Sequence, residues 1–402
     1  MIDFPYMKNI SRSTSSKIVM LVVDGLGGLP HPNTGKSELE TASLPNLNNL
    51  AKKSACGLTN PILPGITPGS GPGHMALFGY DPVKYLLGRG ILEALGIGLN
   101  IGKGDIASRG NFCTVDSNGI LIDRRAGRIS TEDSAPLIAM LNQIQIPEVN
   151  TSVHAVQDYR FVLILNGSGL EDEISETDPQ VSGMTPLEAT AISEASERTS
   201  RAVNAFVSAA RDMLKSQNKA NMVILRGFSR LPNLPNFGTT YNLRPAAVAS
   251  YPMYKGLSEI VGMKVLSTGQ TFNDELNTLE RKFDQHDFFF LHYKSADSAG
   301  EDGNFESKIS QLEKLDACIP RLIDITQAGT LIITGDHSTP SIMGSHSWHP
   351  VPLMVNSILT KGEGTDRFSE KEFRSGSLGC ISATNVMMLA LAHAGKLSKF
   401  GP

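Results

Sequence analysis

Three short runs of almost continuous apolar residues end in polar residues, and they lie far apart along the chain. They are KIVMLVVD at 17–24, FFFLHY at 288–293 and TLIITGD at 330–336. Apolar runs of this length without alternation are typical of strands that are buried on both faces of a parallel sheet. Each run therefore predicts a central strand that delivers polar side chains at its carboxyl end.

Helical spacing joins the last two of these strands. Between residues 308 and 327 one face is apolar, formed by Ile309, Leu312, Leu315, Ile319 and Leu322. Such a face predicts a helix that covers the sheet, and the strand–helix–strand order requires a right-handed crossover. A further helix is predicted over 383–393. The pattern indicates an α/β fold with a doubly wound, mostly parallel sheet.

The middle of the chain has a different pattern. NFCTVD at 111–116 and ILID at 120–123 are separated by a Ser-Asn-Gly turn at 117–119, which predicts a β-hairpin. Farther on, FVLILNG at 161–167 and MVILRG at 222–227 flank a predicted helix. These elements indicate a separate α+β domain.

The length of the chain agrees with more than one domain. At 402 residues it is long enough for two or three domains of ordinary size. We expect an inserted, substrate-binding α+β domain over 111–244. The core domain is then discontinuous and consists of residues 1–110 and 245–402.

Composition and charge narrow the classes of function. The chain is 40% hydrophobic and 19% charged, with a net charge of −4, which is usual for a soluble globular protein and gives no broad basic field. Nucleic acid and membrane are therefore not expected as partners, and a small ligand is. Four scattered cysteines and an amino end unlike a signal peptide predict a cytoplasmic location.

The densest group of potential metal ligands follows the third apolar run. GDHSTPSIMGSHSWHP at 335–350 contains Asp336, His337, His346 and His349. Aspartate and histidine in such a cluster suit divalent metals such as zinc or manganese. A lone histidine would more often be structural, but four potential ligands directly after a strand favour a metal site.

Two other strand ends add carboxylates. Asp297, Glu301 and Asp302 follow the second run, and Asp24 ends the first, in VVDGLGG at 22–28. Taken alone, the first group is typical of a solvated acidic loop and Asp24 of an ordinary turn. Ligands of open α/β sheets gather beyond the carboxyl ends of the strands, however, so these side chains are expected to converge and could hold two metals.

One more segment surrounds a single hydroxyl with prolines and glycines. LPGITPGSGPGH at 63–74 contains Ser70, and its composition predicts neither a helix nor a central strand. A surface loop would have the same composition. If the metals lie nearby, the stiff loop would instead hold a serine nucleophile beside them.

Many motifs in one order resemble the archaeal-type cofactor-independent phosphoglycerate mutases of the alkaline phosphatase superfamily. They are DGLGG, TASLPNLNNLA, PGSGPGHMALFGYDP, RGNFCTVD, DRRAGRI, ETDPQ, LRGFSRLPNLPNF, YPMYKGL, GMKV, ADSAGEDG, GDHSTP and HSWHPVPL. The resemblance covers nearly the whole chain. It implies an alkaline-phosphatase-like α/β domain that bears metal and is interrupted by a smaller domain that grips the substrate.

Carried over residue by residue, the resemblance implies that Ser70 is transiently phosphorylated. It implies that one metal ion is held by Asp24, Ser70, Asp336 and His337. Two ligands of a second ion are implied to be Asp297 and His346. We expect two divalent ions, with manganese favoured and magnesium, zinc or cobalt as alternatives.

The chain departs from the family pattern at Glu301. The usual motif is DxxGH, whereas this sequence reads DSAGE from Asp297 and so has glutamate at the histidine position. A carboxylate can replace the imidazole as a ligand and would favour harder ions such as manganese or magnesium. His349, a second unusual residue, could add a ligand or only pack beside Trp348.

Arginine side chains in the inserted domain are expected to hold the substrate. Planar guanidinium groups bind phosphate and carboxylate with two hydrogen bonds. The resemblance favours Arg125, Arg128 and Asp178. The sequence leaves open whether Arg124 or Arg125 of DRRAGR points inward. Further substrate-binding candidates, weaker in the case of the lysine, are Arg160, Arg226 and Lys255.

The expected reaction is interconversion of 3-phosphoglycerate and 2-phosphoglycerate through a phosphoserine, without bisphosphoglycerate. The expected partner is therefore a small phosphorylated three-carbon acid, and the sequence leaves the oligomeric state open. Another metal-dependent phosphotransfer enzyme of the same scaffold, either a phosphatase or a homoserine kinase-like enzyme, is an alternative. A protein that binds a phospho-ligand without catalysis is another, because the histidine at position 301 is missing.

Overall fold

The computed structural model describes residues 1–327, 329–360 and 364–401. By its internal contacts the chain divides into two compact units. The first unit comprises Met1–Leu86 and Leu234–Pro402, and the second comprises Leu87–Asn233. The second unit is thus inserted in the sequence of the first.

The strands lie in two sheets and are numbered along the chain. They are β1 (Ile18–Val23), β2 (Ala55–Asn60), β3 (Ile106–Val115), β4 (Leu121–Asp123), β5 (Asn150–Ala155), β6 (Arg160–Asn166), β7 (Met222–Ser229), β8 (Pro245–Val248), β9 (Lys264–Val265), β10 (Phe288–Tyr293), β11 (Thr330–Thr334), β12 (Val351–Asn356) and β13 (Gly379–Ser382).

The α-helices are numbered in the same way. They are α1 (Met7–Ile10), α2 (Glu38–Thr41), α3 (Pro45–Ala51), α4 (Ser70–Leu77), α5 (Arg89–Gly96), α6 (Thr131–Leu141), α7 (Glu197–Leu214), α8 (Phe237–Tyr241), α9 (Pro252–Ile260), α10 (Phe272–Lys282), α11 (Ser295–Glu301), α12 (Phe305–Thr326), α13 (Glu370–Phe373) and α14 (Val386–His393). No helix in the described ranges has the length and apolarity needed to cross a bilayer.

The first unit contains an eight-stranded sheet in the order β13-β2-β12-β11-β1-β10-β8-β9. β1 lies at its centre and pairs in parallel with both β10 and β11. Among the strands described, only β12 runs antiparallel to its neighbours in this sheet. All six residues of β1 are buried, as are those of β10 and β11, so the three predicted central strands and the mostly parallel α/β fold are confirmed.

α12 covers one face of this sheet, as the apolar spacing predicted. The buried side chains of Leu312, Leu315 and Ile319 lie in one core cluster with residues of β1, β10 and β11. An apolar stripe packed on a sheet supplies most of the stability of such a helix. Together with α11, α12 forms the connection from β10 to β11.

The second unit has its own sheet and its own core. β3 pairs antiparallel with β4, β6 and β7, and β6 pairs with β5. The predicted hairpin of β3 and β4 is therefore present. Phe112 on β3, Phe161 on β6 and Phe206 on α7 are fully buried in this core.

The second unit begins at Leu87, earlier in the chain than the insert that the sequence predicts over 111–244. α5 belongs to it because α5 approaches β3 closely: a Cβ at Gly90 would collide with the backbone of Ala107. The N–H of Ile91 also donates a hydrogen bond to Oγ of Ser229 at 3.2 Å. At the other end β8, which starts at Pro245, is part of the sheet of the first unit.

The segment around Ser70 is partly helical, so the prediction that it forms no helix is wrong for its last residues. Ser70 is the first residue of α4, and Pro72 occupies the first turn. The first N–H groups of a helix have no acceptor within the helix, so proline is tolerated there. Gly71, which lacks a Cβ, relieves the clash that usually keeps the residue before proline out of the helical region.

Burial of one carboxyl group gives a prediction for the stability of the first unit. Glu275 on α10 is buried; its Oε1 accepts a hydrogen bond from the N–H of Ser250 at 3.0 Å, and Oε2 has no partner among the described residues. Burial raises the pKa of Glu275 from 4.5 to about 8. Between these pH values the unfolded chain loses a proton that the folded protein retains, so stability falls as the pH rises.

We expect Glu275→Gln to become more stable relative to the wild type as the pH is raised through this window. Urea unfolding at pH 5, 6.5 and 8 measures the difference in the free energy of unfolding. Glu259→Gln, an exposed glutamate on α9, should keep the wild-type dependence on pH. A constant difference between Glu275→Gln and the wild type would show that the carboxyl is not buried in this way.

Candidate metal centre

Three neighbouring strands of the central sheet deliver carboxylates to one place. Asp24 follows β1, Asp297 lies on α11 just after β10, and Asp336 follows β11; all three are fully buried. Two groups of potential ligand atoms result, each with its atoms within 4.8 Å of one another: Asp24 with Asp336 and His337, and Asp297 with His337 and His346. His337 is common to both groups.

The two oxygens of Asp24 have different surroundings. Oδ2 accepts hydrogen bonds from the hydroxyl of Tyr254, from Nε2 of His292 at 3.1 Å and from Nζ of Lys294 at 3.1 Å. Oδ1 is buried and has no hydrogen-bond partner among the described residues. Burial and the charge of Asp336 oppose ionisation, but His292 and Lys294 outweigh them and hold the pKa of Asp24 below its usual value.

Asp336 shows the same asymmetry. Its Oδ1 accepts a hydrogen bond from the N–H of Gly25 at 3.3 Å. Its Oδ2 is buried without a hydrogen bond in the described structure and lies 3.1 Å from Nε2 of His337. Buried carboxylate oxygens without a partner are costly. Asp24 and Asp336 each turn one such oxygen toward His337, which is an arrangement that fits a bound cation.

The hydrogen bonds around His337 determine which ring nitrogen is free. The Thr339 hydroxyl donates to Oδ1 of Asp297 at 2.6 Å, so it can only accept from Nδ1 of His337, which lies 3.0 Å away. Nε2 of His337 then has a free lone pair. That nitrogen lies 3.1 Å from Oγ of Ser70 and 3.3 Å from Oδ1 of Asp24.

His346 is oriented in a similar way. Its Nδ1 lies 3.0 Å from the carbonyl oxygen of Pro68 and donates to it, since a carbonyl can only accept. Its Nε2 lies 3.8 Å from Oδ1 of Asp297 and 3.4 Å from Oε1 of Glu301. Burial disfavours protonation, but Glu301 outweighs it and raises the pKa of His346 to about 9.

Glu301 lies at the open side of the centre. It is half exposed, and Oε1 of its carboxylate lies 3.4 Å from Nε2 of His346. The hydrogen bond with His346 lowers the pKa of Glu301. Glu301 does not belong to the two compact ligand groups, so it would join the second group only by a small movement of its flexible side chain.

Ser70 lies beside both groups because α4 begins at this residue. A Cβ at Gly73 would collide with the backbone carbonyl of Asp336, so only glycine permits the first turn of α4 to come this close. His74, one turn after Ser70, is fully buried; its Nδ1 donates to the carbonyl oxygen of Ser70 at 2.8 Å and lies 3.2 Å from Oδ2 of Asp336. The sequence assigned no chemistry to His74, and the structure gives it this bridging position.

Lys294 was also missed in the sequence. Its ammonium group donates to Asp24 and, at 2.6 Å, to Oδ2 of Asp297. Burial disfavours the charged form, but the two carboxylates outweigh this and raise the pKa of Lys294. Lys294 directly follows β10 and lies three residues before Asp297, and this position could have identified it in the sequence as a residue of the site.

A second lysine, Lys308, lies behind the centre and is fully buried. Its ammonium group donates to three backbone carbonyls: Gly25 at 2.9 Å, Gly27 at 3.0 Å and Thr339 at 2.8 Å. These carbonyls belong to the loops that follow β1 and β11. Lys308 therefore joins the two loops that carry Asp24 and the Asp336–His337 pair. Its position on the apolar face of the predicted helix gave no sign of this role.

Two glutamates, the fully buried Glu38 and the partly buried Glu370, complete the same network. Glu38 accepts hydrogen bonds from the N–H and hydroxyl of Ser341 at 2.8 and 2.6 Å. Glu370 accepts from the N–H of Gly28 and the hydroxyl of Ser37, both at 2.7 Å. The charges of both glutamates favour the charged form of the Lys308 ammonium, and the hydrogen bonds fix the loops together.

His349 and Asp302 lie outside the two ligand groups. His349 stacks on Trp348 with ring centroids 4.8 Å apart, and its Nδ1 lies 3.1 Å from Oγ of Ser347. Asp302 is exposed at the end of α11. Of the alternatives that the sequence left open for His349, this geometry agrees with packing beside Trp348.

Within the second unit, Asp178 is buried and paired with arginine. Arg124 donates to both of its carboxylate oxygens, at 3.1 and 2.7 Å, and Nη1 of Arg226 lies 3.9 Å from Oδ2. Arg124 is thus the inward-pointing residue of the pair in DRRAGR, while Arg125 and Arg128 are exposed.

Arg226 belongs to a wider group of arginines in the second unit. Burial lowers the pKa of Arg109; Glu93 opposes this effect, and the charges of Arg89, Arg226 and Arg160 add to it. Nε of Arg109 and Nε of Arg226 are buried without partners in the described structure. Arg160 and Arg226 are among the residues predicted from the sequence; Arg89 and Arg109 are not, although Arg109 begins the RGNFCTVD motif.

Lys255 lies in the first unit on α9. It is half buried and directly follows Tyr254, the residue that donates to Asp24.

The structure brings most of the predicted metal ligands together. They are Asp24, Ser70, Asp297, Asp336, His337 and His346, with Glu301 at the edge. It places the arginine candidates in the other unit.

Comparison with known proteins shows which family this chain resembles. A family model described as 2,3-bisphosphoglycerate-independent phosphoglycerate mutase matches residues 51–219. The chain is 47% identical over 403 residues to a probable enzyme of that name from Thermus thermophilus, with 99% of each chain covered. A relative of the same name from Thermosipho africanus is 49% identical over 98% of this chain and 97% of its own.

Two solved structures are similar over nearly the whole chain. The PH0037 protein from Pyrococcus horikoshii has a TM-score of 0.80 and 27% identity, and covers 97% of this chain and 100% of its own. A cofactor-independent phosphoglycerate mutase from Thermoplasma acidophilum has a TM-score of 0.74 and 28% identity, with 94% and 100% covered. Both support the fold described above.

The role of Lys308 gives a prediction for the metal-free protein. Lys308→Met keeps the size of the side chain but removes the donor from three carbonyls and leaves Glu38 and Glu370 without their counter-charge. Leaving a buried acceptor without its donor typically costs about 1–3 kcal/mol. We expect chemical denaturation to show a loss of this size in the free energy of unfolding.

Lys314→Met is the matched control, because Lys314 is exposed on the same helix. A surface change of this kind should alter stability by less than about 0.5 kcal/mol. Equal stabilities of the two variants would contradict the proposed function of Lys308 as a buried link between the loops.

Proposed function

Because the chain belongs to the 2,3-bisphosphoglycerate-independent phosphoglycerate mutase family, we propose that it interconverts 3-phosphoglycerate and 2-phosphoglycerate through a phosphoserine at Ser70. Bisphosphoglycerate is not needed. The observation that carries this proposal is the position of Oγ of Ser70, 3.1 Å from Nε2 of His337, the residue that belongs to both ligand groups.

Two divalent ions fit the centre. Asp24, Asp336 and His337 would hold one ion together with Ser70, and Asp297 and His346 would hold the other, with Glu301 as a third ligand. The unpartnered oxygens of Asp24 and Asp336 support this assignment. When bound, such ions make a serine alkoxide available near neutral pH and neutralise charge on phosphoryl oxygens.

Ser70 attacks the phosphorus of the bound phosphoglycerate, and the phosphoryl group passes to Oγ as the glycerate oxygen leaves. Ser70 is well placed for this because it opens α4. The first N–H groups of that helix have no acceptor within it and favour an anion at the same end. The chain therefore offers hydrogen bonds to a phosphoryl group on Ser70.

The second half of the reaction requires that glycerate stays bound. Its other hydroxyl then attacks the phosphoserine, which regenerates Ser70 and gives the isomeric product. The arginines of the second unit suit the carboxylate of glycerate, because guanidinium groups bind carboxylates with two hydrogen bonds. Arg125, Arg128, Arg160 and Arg226 are our candidates from the sequence, and Arg109 is added from the structure.

Retention of glycerate and exclusion of water separate a mutase from a phosphatase. Asp178 holds Arg124 and would orient the arginine group; we also propose that it orients a hydroxyl of the substrate or accepts its proton. Lys255 is proposed as a substrate contact of the first unit. Manganese is the proposed ion, since a carboxylate at position 301 favours harder metals than imidazole does.

The mutase assignment predicts activity with manganese and no bisphosphoglycerate. Purified protein loaded with Mn²⁺ should convert 3-phosphoglycerate to 2-phosphoglycerate, followed by phosphorus NMR. Ser70→Ala should lose at least about 1,000-fold in kcat, because the nucleophile is absent. Ser345→Ala, an exposed serine of the loop that carries His346, should keep the wild-type rate.

Release of inorganic phosphate without the isomeric product would identify a phosphatase. Phosphorylation of homoserine would identify a kinase-like enzyme. Absence of every one of these reactions in protein that binds phosphoglycerate would favour the non-catalytic alternative. Each of these outcomes would overturn the mutase assignment.

The position of Glu301 predicts the metal preference. Glu301→Ala should weaken Mn²⁺ binding by about 10- to 100-fold, the usual effect of losing a group that orients or completes a metal site. Glu301→His should regain affinity and shift the preference toward zinc and cobalt, which imidazole suits. Isothermal titration calorimetry with each metal measures both effects.

Asp302→Ala is the control, since Asp302 is an exposed neighbour outside the ligand groups. Unchanged Mn²⁺ affinity in Glu301→Ala would show that Glu301 does not take part in metal binding. Retained preference for Mn²⁺ in Glu301→His would show that another feature sets the choice of metal.

A further inference from the structure

Lys294 joins the two ligand groups by a charge that belongs to the chain itself. Its Nζ lies 3.1 Å from Oδ2 of Asp24 and 2.6 Å from Oδ2 of Asp297. The first carboxylate belongs to one ligand group and the second to the other. In the described structure it is the only lysine or arginine within ion-pair distance of Asp24, Asp297 or Asp336.

The orientation of these carboxylates does not depend on Lys294 alone. Oδ2 of Asp24 also accepts from Tyr254 and His292, and Tyr254 stacks on His292 with centroids 3.6 Å apart. Oδ1 of Asp297 accepts from Thr339. The contribution that the other donors do not supply is therefore the positive charge.

That charge has opposite effects on the metal-free and the metal-loaded protein. Without ions, three buried carboxylates lie close together, and an ammonium between two of them relieves their repulsion. With ions bound to the same carboxylates, the ammonium lies beside cations and repels them. It contacts the Oδ2 atoms and so does not block Oδ1 of Asp24.

We propose that Lys294 is a built-in counter-cation that stabilises the metal-free centre and weakens its affinity for divalent ions. Its ammonium group provides positive charge in place of the ions, but it does not occupy their positions. As a result, the protein stays folded when its ions leave, and ions exchange more readily than three buried carboxylates alone would allow. This inference rests on the metal sites of the proposed function.

The test compares Lys294→Met with the wild type in thermal unfolding and in Mn²⁺ titration calorimetry. Without metal, Lys294→Met should unfold at a lower temperature. Its Mn²⁺ dissociation constant should be smaller by about tenfold or more, since one neighbouring charge typically shifts a buried equilibrium by this amount. Lys294→Arg keeps the charge and should retain the wild-type dissociation constant.

Lys294→Gln is the second uncharged variant and retains a hydrogen-bond donor. A Met variant that folds only with Mn²⁺ supports the proposal, and if it does not fold at all the Gln variant decides. Equal or weaker Mn²⁺ binding in the uncharged variants would overturn it. Failure of the wild type to bind Mn²⁺ would instead overturn the metal sites of the proposed function.

Discussion

Electrostatic repulsion among buried carboxylates is the constraint on which this structure depends. Asp24, Asp297 and Asp336 are fully buried at the carboxyl edge of one sheet, where their charges oppose one another and where water cannot screen them. Such a group persists only if cations or strong donors compensate it. The chain supplies Lys294 and two histidines, His292 and His74, and it leaves one oxygen each of Asp24 and Asp336 without a partner. We propose that divalent ions bind these two oxygens and compensate their charge.

The fold brings these charges together by simple means. Three parallel strands, β1, β10 and β11, end side by side, so residues that are hundreds of positions apart in sequence meet. Gly25 has a φ of +66°, and a side chain there would collide with Asp297; glycine is therefore needed for the close approach of two carboxylate-bearing loops. Lys308 then fixes the loops from behind through three carbonyls. The hydrogen bonds of Lys308 thus hold the loops in place and offset part of the repulsion among the carboxylates that the loops carry.

Much of this arrangement follows from local patterns in the sequence. Uninterrupted apolar runs give the central strands, and the polar residues at their ends give Asp24, Asp336 and His337, because both signals are local. Other features depend on tertiary contacts. The helical state of Ser70 depends on glycine packing against Asp336, and the function of Lys308 depends on carbonyls from two distant loops. Arg109 faces Arg226 only because β3 and β7 pair, and no spacing along the chain shows that pairing.

The central claim is that the carboxylates and histidines hold two divalent ions beside Ser70. Crystals grown with Mn²⁺ and measured on both sides of the manganese absorption edge test it most directly. We expect two anomalous peaks, one among Asp24, Asp336 and His337 and one between Asp297 and His346. An absence of peaks at saturating Mn²⁺, or peaks remote from Ser70, would contradict the account.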